Sequence, residues 1–365
     1  MSISSRIRPT RAALAPALVS LGALAAAVAV AMVIVALSGS PPWEAVSALW
    51  QGSFGGRAQV AGTLSKTVPL LLVALGWIVA FSTRRVNIGF EGQILIGGLA
   101  ATLVALGLDM PAVIHLPLAI AAGILGGAAY AGIAAALWAR RGVNEIISTL
   151  MLNFVAIEII SWLVRGPMQE SGGGFPRTDQ IPASAAWPRI VAATALSWDL
   201  PLVVALAVGV AFLVRNTSFG FNLRATGDNE PAARAAGVRT KRITVLALLL
   251  SGGFAGLAGS SLILGGEAGN MADNFSAGYG FEGIVVALLA RNSALASIPA
   301  ALVLAALRQG GGLMEARVGV PSALVGITQG VIIIAIAGAA FFADRAARTP
   351  VVATRAADDT VPANA

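Results

Sequence analysis

The sequence predicts an all-α polytopic membrane protein with about ten transmembrane helices (eight at the fewest), and three observations predict it. Hydrophobic residues make up 57% of the chain and charged ones only 11%, against about 45–50% and about 25% in soluble domains. The mean hydropathy is +0.83. The apolar residues fall in long runs rather than in scattered faces, and a helical span needs about 20 of them.

The spans follow in order. Ala12–Leu37 comes after Arg6, Arg8 and Arg11 and is too long for a cleaved signal's apolar region, so it reads as a retained first helix. Thr67–Phe81 and Ile94–Leu108 are short, Ala112–Trp138 and Glu145–Val164 are full length, and Leu200–Val214 and Ile243–Leu264 follow the two longest loops. Tyr279–Ala290 and Ile298–Leu307 are again short, and Pro321–Phe342 is the last. Threading ten spans from an internal N-terminus leaves seven basic residues outside: Arg57, Lys66, Arg165, Arg177, Arg189, Arg308 and Arg317. The other 17 of the 24 lie inside, the bias expected of cytoplasmic loops. Both termini are then cytoplasmic. The expected organisation is a cytoplasmic segment 1–11, a transmembrane domain 12–343 and a disordered cytoplasmic tail 344–365. Loop 165–197 lies outside and the basic loop 215–242 inside.

Several chemistries are excluded. There is no cysteine and one histidine, His115. That leaves no thiolate site, no multi-histidine metal centre and little from which to build an intramembrane enzyme. The net charge of +7 is accounted for by the inside bias, so nucleic acid is not an expected partner. Small residues four apart, such as Gly123/Gly127 and Gly252/Gly256, indicate close helix packing in lipid.

Ionisable groups within spans are costly and need a reason. Glu145, Thr149 and Asn153 recur every four residues on one helical face, with Ser148 beside them and Asn144 just before. This stripe lines either a water-filled path or a helix–helix hydrogen-bond seam. Glu158 lies deeper in the same span. Glu91, in the stretch beginning at Asn87, sits in Gly89-Phe90-Glu91-Gly92, and the same four residue types recur as Gly280-Phe281-Glu282-Gly283. Each copy precedes a short apolar run, one in each half of the chain. That pattern suggests an internal repeat with broken or re-entrant helices meeting near the bilayer midplane. His115 reads as structural.

In the basic loop, Arg224–Gly237 reads as a short helix: Asp228 or Asn229 caps it, Pro231 is tolerated in its first turn and Gly237 suits the position just past its end. A helix this short needs a partner surface.

Four stretches together, Asn87–Gln93, Gly142–Asn153, Arg224–Gly237 and Gly278–Arg291, resemble the membrane subunits of bacterial ABC importers for simple sugars, nucleosides and branched-chain amino acids. The first two are most similar to the nucleoside and simple-sugar branch. The resemblance covers roughly Thr63 to Phe342. It implies a plasma-membrane permease that pairs with a second permease, like or unlike itself, with ABC ATPase subunits and with an extracytoplasmic substrate-binding protein. ATP and Mg would bind on the partner ATPase, with no cofactor in this chain. In keeping with that division, no G-x-x-x-x-G-K-[ST] phosphate loop is present. The helix spanned by Asp228, Asn229, Glu230, Pro231, Ala232, Ala233, Arg234 and Gly237 would couple to the ATPase. Asn87, Glu91, Asn144, Glu145, Thr149, Asn153 and Glu282 would lie near the substrate pathway. The competing expectation is a proton-coupled secondary transporter that uses Glu91, Glu145, Glu158 or Glu282 as proton carrier.

Overall fold

The computed structural model describes residues 41–266 and 269–319, with isolated positions 32, 33, 36, 326, 327 and 330. Apart from those isolated positions, the expected spans Ala12–Leu37 and Pro321–Phe342 lie outside the described residues, as does the tail 344–365. The chain divides into two compact units, Ser47–Arg317 and the two chain ends taken together. The packing that positions the site lies within the first unit.

Among the described residues there are eleven helices and no strand: α1 (Pro42–Phe54), α2 (Arg57–Phe81), α3 (Phe90–Gly107), α4 (Ala112–Arg141), α5 (Glu145–Arg165), α6 (Asp199–Asn216), α7 (Ser218–Asp228), α8 (Glu230–Ala235), α9 (Thr240–Leu264), α10 (Tyr279–Leu289) and α11 (Ser297–Val318). Six of them, α2 to α6 and α9, are long and apolar enough to cross a membrane.

Several boundaries differ from the sequence expectation. Helix α2 begins at Arg57, ten residues before the apolar run, and continues through Pro69. Helix α11 runs on to Val318 past Arg308 and Glu315. Both polar extensions are helical without being apolar, which hydropathy cannot register. Helix α1, with Trp43 and Trp50 exposed, is not foreshadowed by any apolar run. Its Ser53 hydroxyl donates to the Ala306 carbonyl at 2.6 Å, which fixes α1 against α11.

Helix α9 is the hub, packing on α2, α3, α4, α7 and α8. The small-residue pairs explain how. Gly123 and Gly127 of α4 face Gly252 and Gly256 of α9, and Gly97 of α3 meets the same crossing. A Cβ on Gly256 would run into the Gly123 carbonyl, and one on Gly97 into the Gly256 backbone. Only hydrogen side chains let three backbones approach this closely, the device that replaces the hydrophobic effect inside lipid.

The segment between α5 and α6 has no regular structure and is held by backbone pairing to the segment before α10. Thr178 N donates to Met271 O at 2.9 Å, Ile181 N to Gly269 O at 2.7 Å and Asp273 N to Pro176 O at 3.0 Å. His115 is fully buried, with Nδ1 2.9 Å from Ser184 Oγ and Nε2 3.3 Å from Val104 O. It ties this segment to α3 and α4, the structural role its sequence position suggests.

Candidate functional site

The chain leaves α2 at Phe81 and re-enters the bundle through Asn87–Gly89 before α3 begins at Phe90. Asn87 is fully buried and uses its whole amide. Its Nδ2 donates to Gln93 Oε1 and Ser251 Oγ, each at 2.9 Å, and its Oδ1 accepts from Gly89 N at 2.9 Å and Gln93 Nε2 at 3.0 Å. Ser251 lies eleven residues into α9, about 16 Å along the helix, so Asn87 sits deep in the bundle rather than at its end.

The stripe on α5 faces this segment. Thr149 Oγ1 accepts from Ile88 N at 3.2 Å, while Asn153 Oδ1 accepts from Gly92 N and Asn153 Nδ2 donates to Ile88 O, both at 2.9 Å. Of the two readings left open by the sequence, the contacts of Thr149 and Asn153 are those of a hydrogen-bond seam. Asn144 is exposed and caps α5, accepting from Ile146 N at 2.8 Å. Glu158 is exposed on the opposite face, among Phe154, Val155 and Trp162.

Glu91 is 5% exposed and reaches across to α10. Ser276 Oγ donates to Oε1, as does Gly278 N at 2.9 Å, and Gly280 N donates to Oε2 at 2.8 Å. The carboxylate therefore occupies the N-terminus of α10, where free N–H groups and the helix dipole favour an anion. The two Gly-Phe-Glu-Gly stretches thus touch: a Cβ on Gly280 would collide with Glu91 N and Cα. Glu282, by contrast, pairs with Arg308 of α11 at 2.7 Å. Arg308 also donates to Ala277 O at 2.7 Å and lies 3.9 Å from the Tyr279 ring centroid.

The basic loop holds two helices where one was expected. Arg224–Asp228 continue α7, and Asn229 alone caps α8, accepting from Ala232 N at 3.1 Å. Pro231 takes the second helical position. Helix α8 ends in a Schellman motif: Gly237 has φ +86°, and the N–H groups of Gly237 and Val238 donate to Arg234 O and Ala233 O, each at 3.0 Å. Only Ala233 of α8 is buried; Pro231, Ala232 and Arg234 are exposed.

One residue that nothing in the sequence marks out joins these parts. Arg85, in the α2–α3 connector, reaches Glu145 of α5 at 3.5 Å and Glu230 of α8 at 3.3 Å, and its guanidinium carbon lies 4.6 Å from the Trp138 ring centroid at the end of α4. Glu230 in turn accepts from Arg234 at 2.8 Å and from Thr240 of α9 at 3.3 Å. Close packing supports the link, since a Cβ on Gly227 would strike the Ser82 carbonyl. In sequence Arg85 is like any inside-facing arginine. Among the described residues, no group of His, Cys, Asp and Glu could hold a metal ion.

Comparison with known proteins identifies the chain's relatives. The chain is 37% identical to the glucose ABC transporter permease protein TsgB13 of Haloferax volcanii over 87% of this chain and 86% of that one. It is 35% identical to the guanosine ABC transporter permease protein NupP of Bacillus subtilis, over 88% and 92%. With the nucleoside ABC transporter permease protein NupB of Lactococcus lactis subsp. cremoris it shares 29% identity over 84% and 86%. The family model described as "Branched-chain amino acid transport system / permease component" matches residues 59–337. The chain therefore belongs to that family: it is a multi-pass membrane protein and the permease subunit of an ABC importer, a transporter component rather than an enzyme.

Proposed function

We propose that this permease moves a nucleoside or a simple sugar, handed over by an extracytoplasmic binding protein, across a bacterial plasma membrane. Two permeases, identical or related, would pair with two ATPase subunits that bind the ATP and Mg. Both termini would be cytoplasmic, with about ten spans in one transmembrane domain and the two Gly-Phe-Glu-Gly helix starts as the meeting point of two related halves. The substrate class is supported by the guanosine, nucleoside and glucose named for the relatives.

The observation that carries the mechanism is the reach of Arg85 from Glu230 to Glu145. Helix α8 offers an exposed, capped, two-turn surface for the ATPase, and the connector bearing Arg85 leads within two residues to Asn87. Approach of the two α8 helices on ATP binding would pull this connector and α5 together. Asn87, Glu91, Asn144, Glu145, Thr149, Asn153 and Glu282 would then set the position of the pathway walls, all seven through hydrogen bonds and ion pairs to the protein itself. Power would come from the ATPase, which leaves no proton-carrier role for the glutamates.

The test is a mild-detergent pull-down of tagged protein from its host, with mass spectrometry of the partners and uptake of labelled guanosine and glucose by reconstituted complex. Recovery of an ATPase, lost with Gly237→Pro, and ATP-dependent uptake of one solute are expected. Uptake by the chain alone, dissipating a proton gradient, would overturn the proposal.

A further inference from the structure

Helix α6 packs on α2 and α7 and meets α9 where the Ser261 hydroxyl donates to the Asp199 carboxylate, leaving a gap between the two helices on the side of Leu206 and Leu250. The gap is a groove of about 310 Å³ lined by Ile124 and Ala128 of α4, Leu206 of α6, and Leu246, Leu250 and Leu257 of α9, with almost no polar atom on its wall. Leu246 also lines a second cavity of about 510 Å³ at the start of α9, formed with Asn222, Gly237, Arg239 and Arg242. The two cavities share that side chain as a common wall. From Leu246 to Leu257 the groove follows α9 for about 16 Å, half of a hydrocarbon core of about 30 Å.

The basic end is unsatisfied by the protein. Arg239 and Arg242 are exposed, and among the described residues neither has a carboxylate partner. Helix α9 opens here with no acid in its own first turn, and the nearby Glu230 carboxylate is taken up by Thr240, Arg85 and Arg234 rather than by Arg239 or Arg242. Two guanidinium groups and an apolar groove about half a hydrocarbon core long form a compound site: anion-binding at one end, hydrocarbon-binding at the other. A soluble phosphate would leave the groove empty, and a neutral lipid would leave the arginines unmatched.

We propose that this cleft binds an anionic phospholipid, its phosphate between Arg239 and Arg242 and one acyl chain along Leu246, Leu250 and Leu257. The proposal needs only the membrane location of the chain and does not depend on the solute it carries. Because Gly237 and Val238 line the headgroup end, the bound lipid touches the C-terminus of α8 and would steady that helix.

The test uses the full chain in nanodiscs of dioleoylphosphatidylcholine containing a small fraction of dioleoylphosphatidylglycerol, with lipids retained after exchange into detergent counted by native mass spectrometry. Wild type is expected to retain phosphatidylglycerol about thirtyfold over phosphatidylcholine, since two basic residues near the surface contribute on the order of 1 kcal/mol each and about 1.4 kcal/mol is a factor of ten. Arg239→Ala with Arg242→Ala is expected to erase the preference. Leu246→Trp, a change at a part-exposed position that blocks the groove with both arginines intact, is expected to erase it too. The charge-matched control, Arg140→Ala with Arg141→Ala, keeps it. No preference in wild type, equal loss in the control, or full retention in Leu246→Trp would each overturn the site, the last two by showing diffuse surface attraction. Should the double arginine variant fail to fold, Leu246→Trp and the control still decide.

Discussion

The carboxylate of Glu91 accepts the backbone N–H of Gly280 at 2.8 Å across 189 residues of sequence. One acid of the repeated motif thus caps the helix that its sequence twin begins. The site where a helix N-terminus could have received an anionic ligand is filled from within, which makes the junction of α3 and α10 a fixed joint. Its Ser276 and Gly278 donors hold the preceding segment to the same carboxylate.

Replacing Glu91 by Ala leaves these buried donors unpaired. A hydrogen bond to a charged group is worth about 1.5–3 kcal/mol, so the variant should lose about 3 kcal/mol or more and unfold at lower temperature by tryptophan fluorescence. Glu91→Gln, which keeps acceptor capacity on one oxygen, should lose less. Equal melting of all three proteins would show that α10 is held elsewhere.

Arg85→Ala should separate coupling from assembly. Its two ion pairs are 3.3 and 3.5 Å long and partly exposed, so their loss should cost under about 1 kcal/mol in stability. ATPase recovery in the pull-down should persist while substrate uptake per ATP hydrolysed falls severalfold. Arg85→Lys, which keeps the charge but not the fork that spans both carboxylates, should retain part of it. Unchanged uptake in Arg85→Ala would remove the connector from the mechanism.

At the end of α8, Gly237→Asn should be tolerated, because asparagine adopts positive φ more readily than other side chains, while Gly237→Val should cost about 1–2 kcal/mol of local strain. Gly237→Pro fixes φ near −65° and removes the N–H donated to Arg234 O. ATPase binding, measured by co-purification, should fall in that order.

Asn153→Ala should be more damaging than Asn144→Ala. The first strands the Gly92 N–H and the Ile88 carbonyl in the bundle, at about 1–3 kcal/mol for each group. The second removes an exposed cap worth about 1 kcal/mol. The ranking of their thermal midpoints checks this directly.

Gly256→Val places a branched side chain where α9 crosses α4 and α3. The backbone of Gly123 and Gly127 blocks it, so little monodisperse protein should be recovered by size-exclusion chromatography. Gly312→Ala, where nothing lies within 4 Å of the added carbon, should behave as wild type.

Composition and local pattern alone were enough for the class of molecule, the full-length spans, the glycine faces and the cap of α8. These depend on composition, on a 3.6-residue period or on local chemistry within a few residues, and all are written contiguously. Gly123, Gly127, Gly252 and Gly256 can be assigned to tight packing because lipid leaves helices few other ways to associate. The polar ends of α2 and α11 stay hidden because a helix need not be apolar to be a helix.

The tertiary structure alone decided which groups meet. That Glu91 caps α10 while its twin Glu282 turns to Arg308 follows from how α3, α10 and α11 pack, since identical four-residue motifs carry no information on their partners. The α5 stripe reads in sequence as a path or a seam, and only the position of Ile88 and Gly92 opposite it spends its amide and hydroxyl on the protein. Arg85 has no mark of distinction in the sequence. Its place between Glu145 and Glu230 exists because three chain segments, 60 and 145 residues away from it and at the end of α4, converge on one guanidinium. Contacts of that range depend on the whole packed bundle, and no local window of sequence contains them.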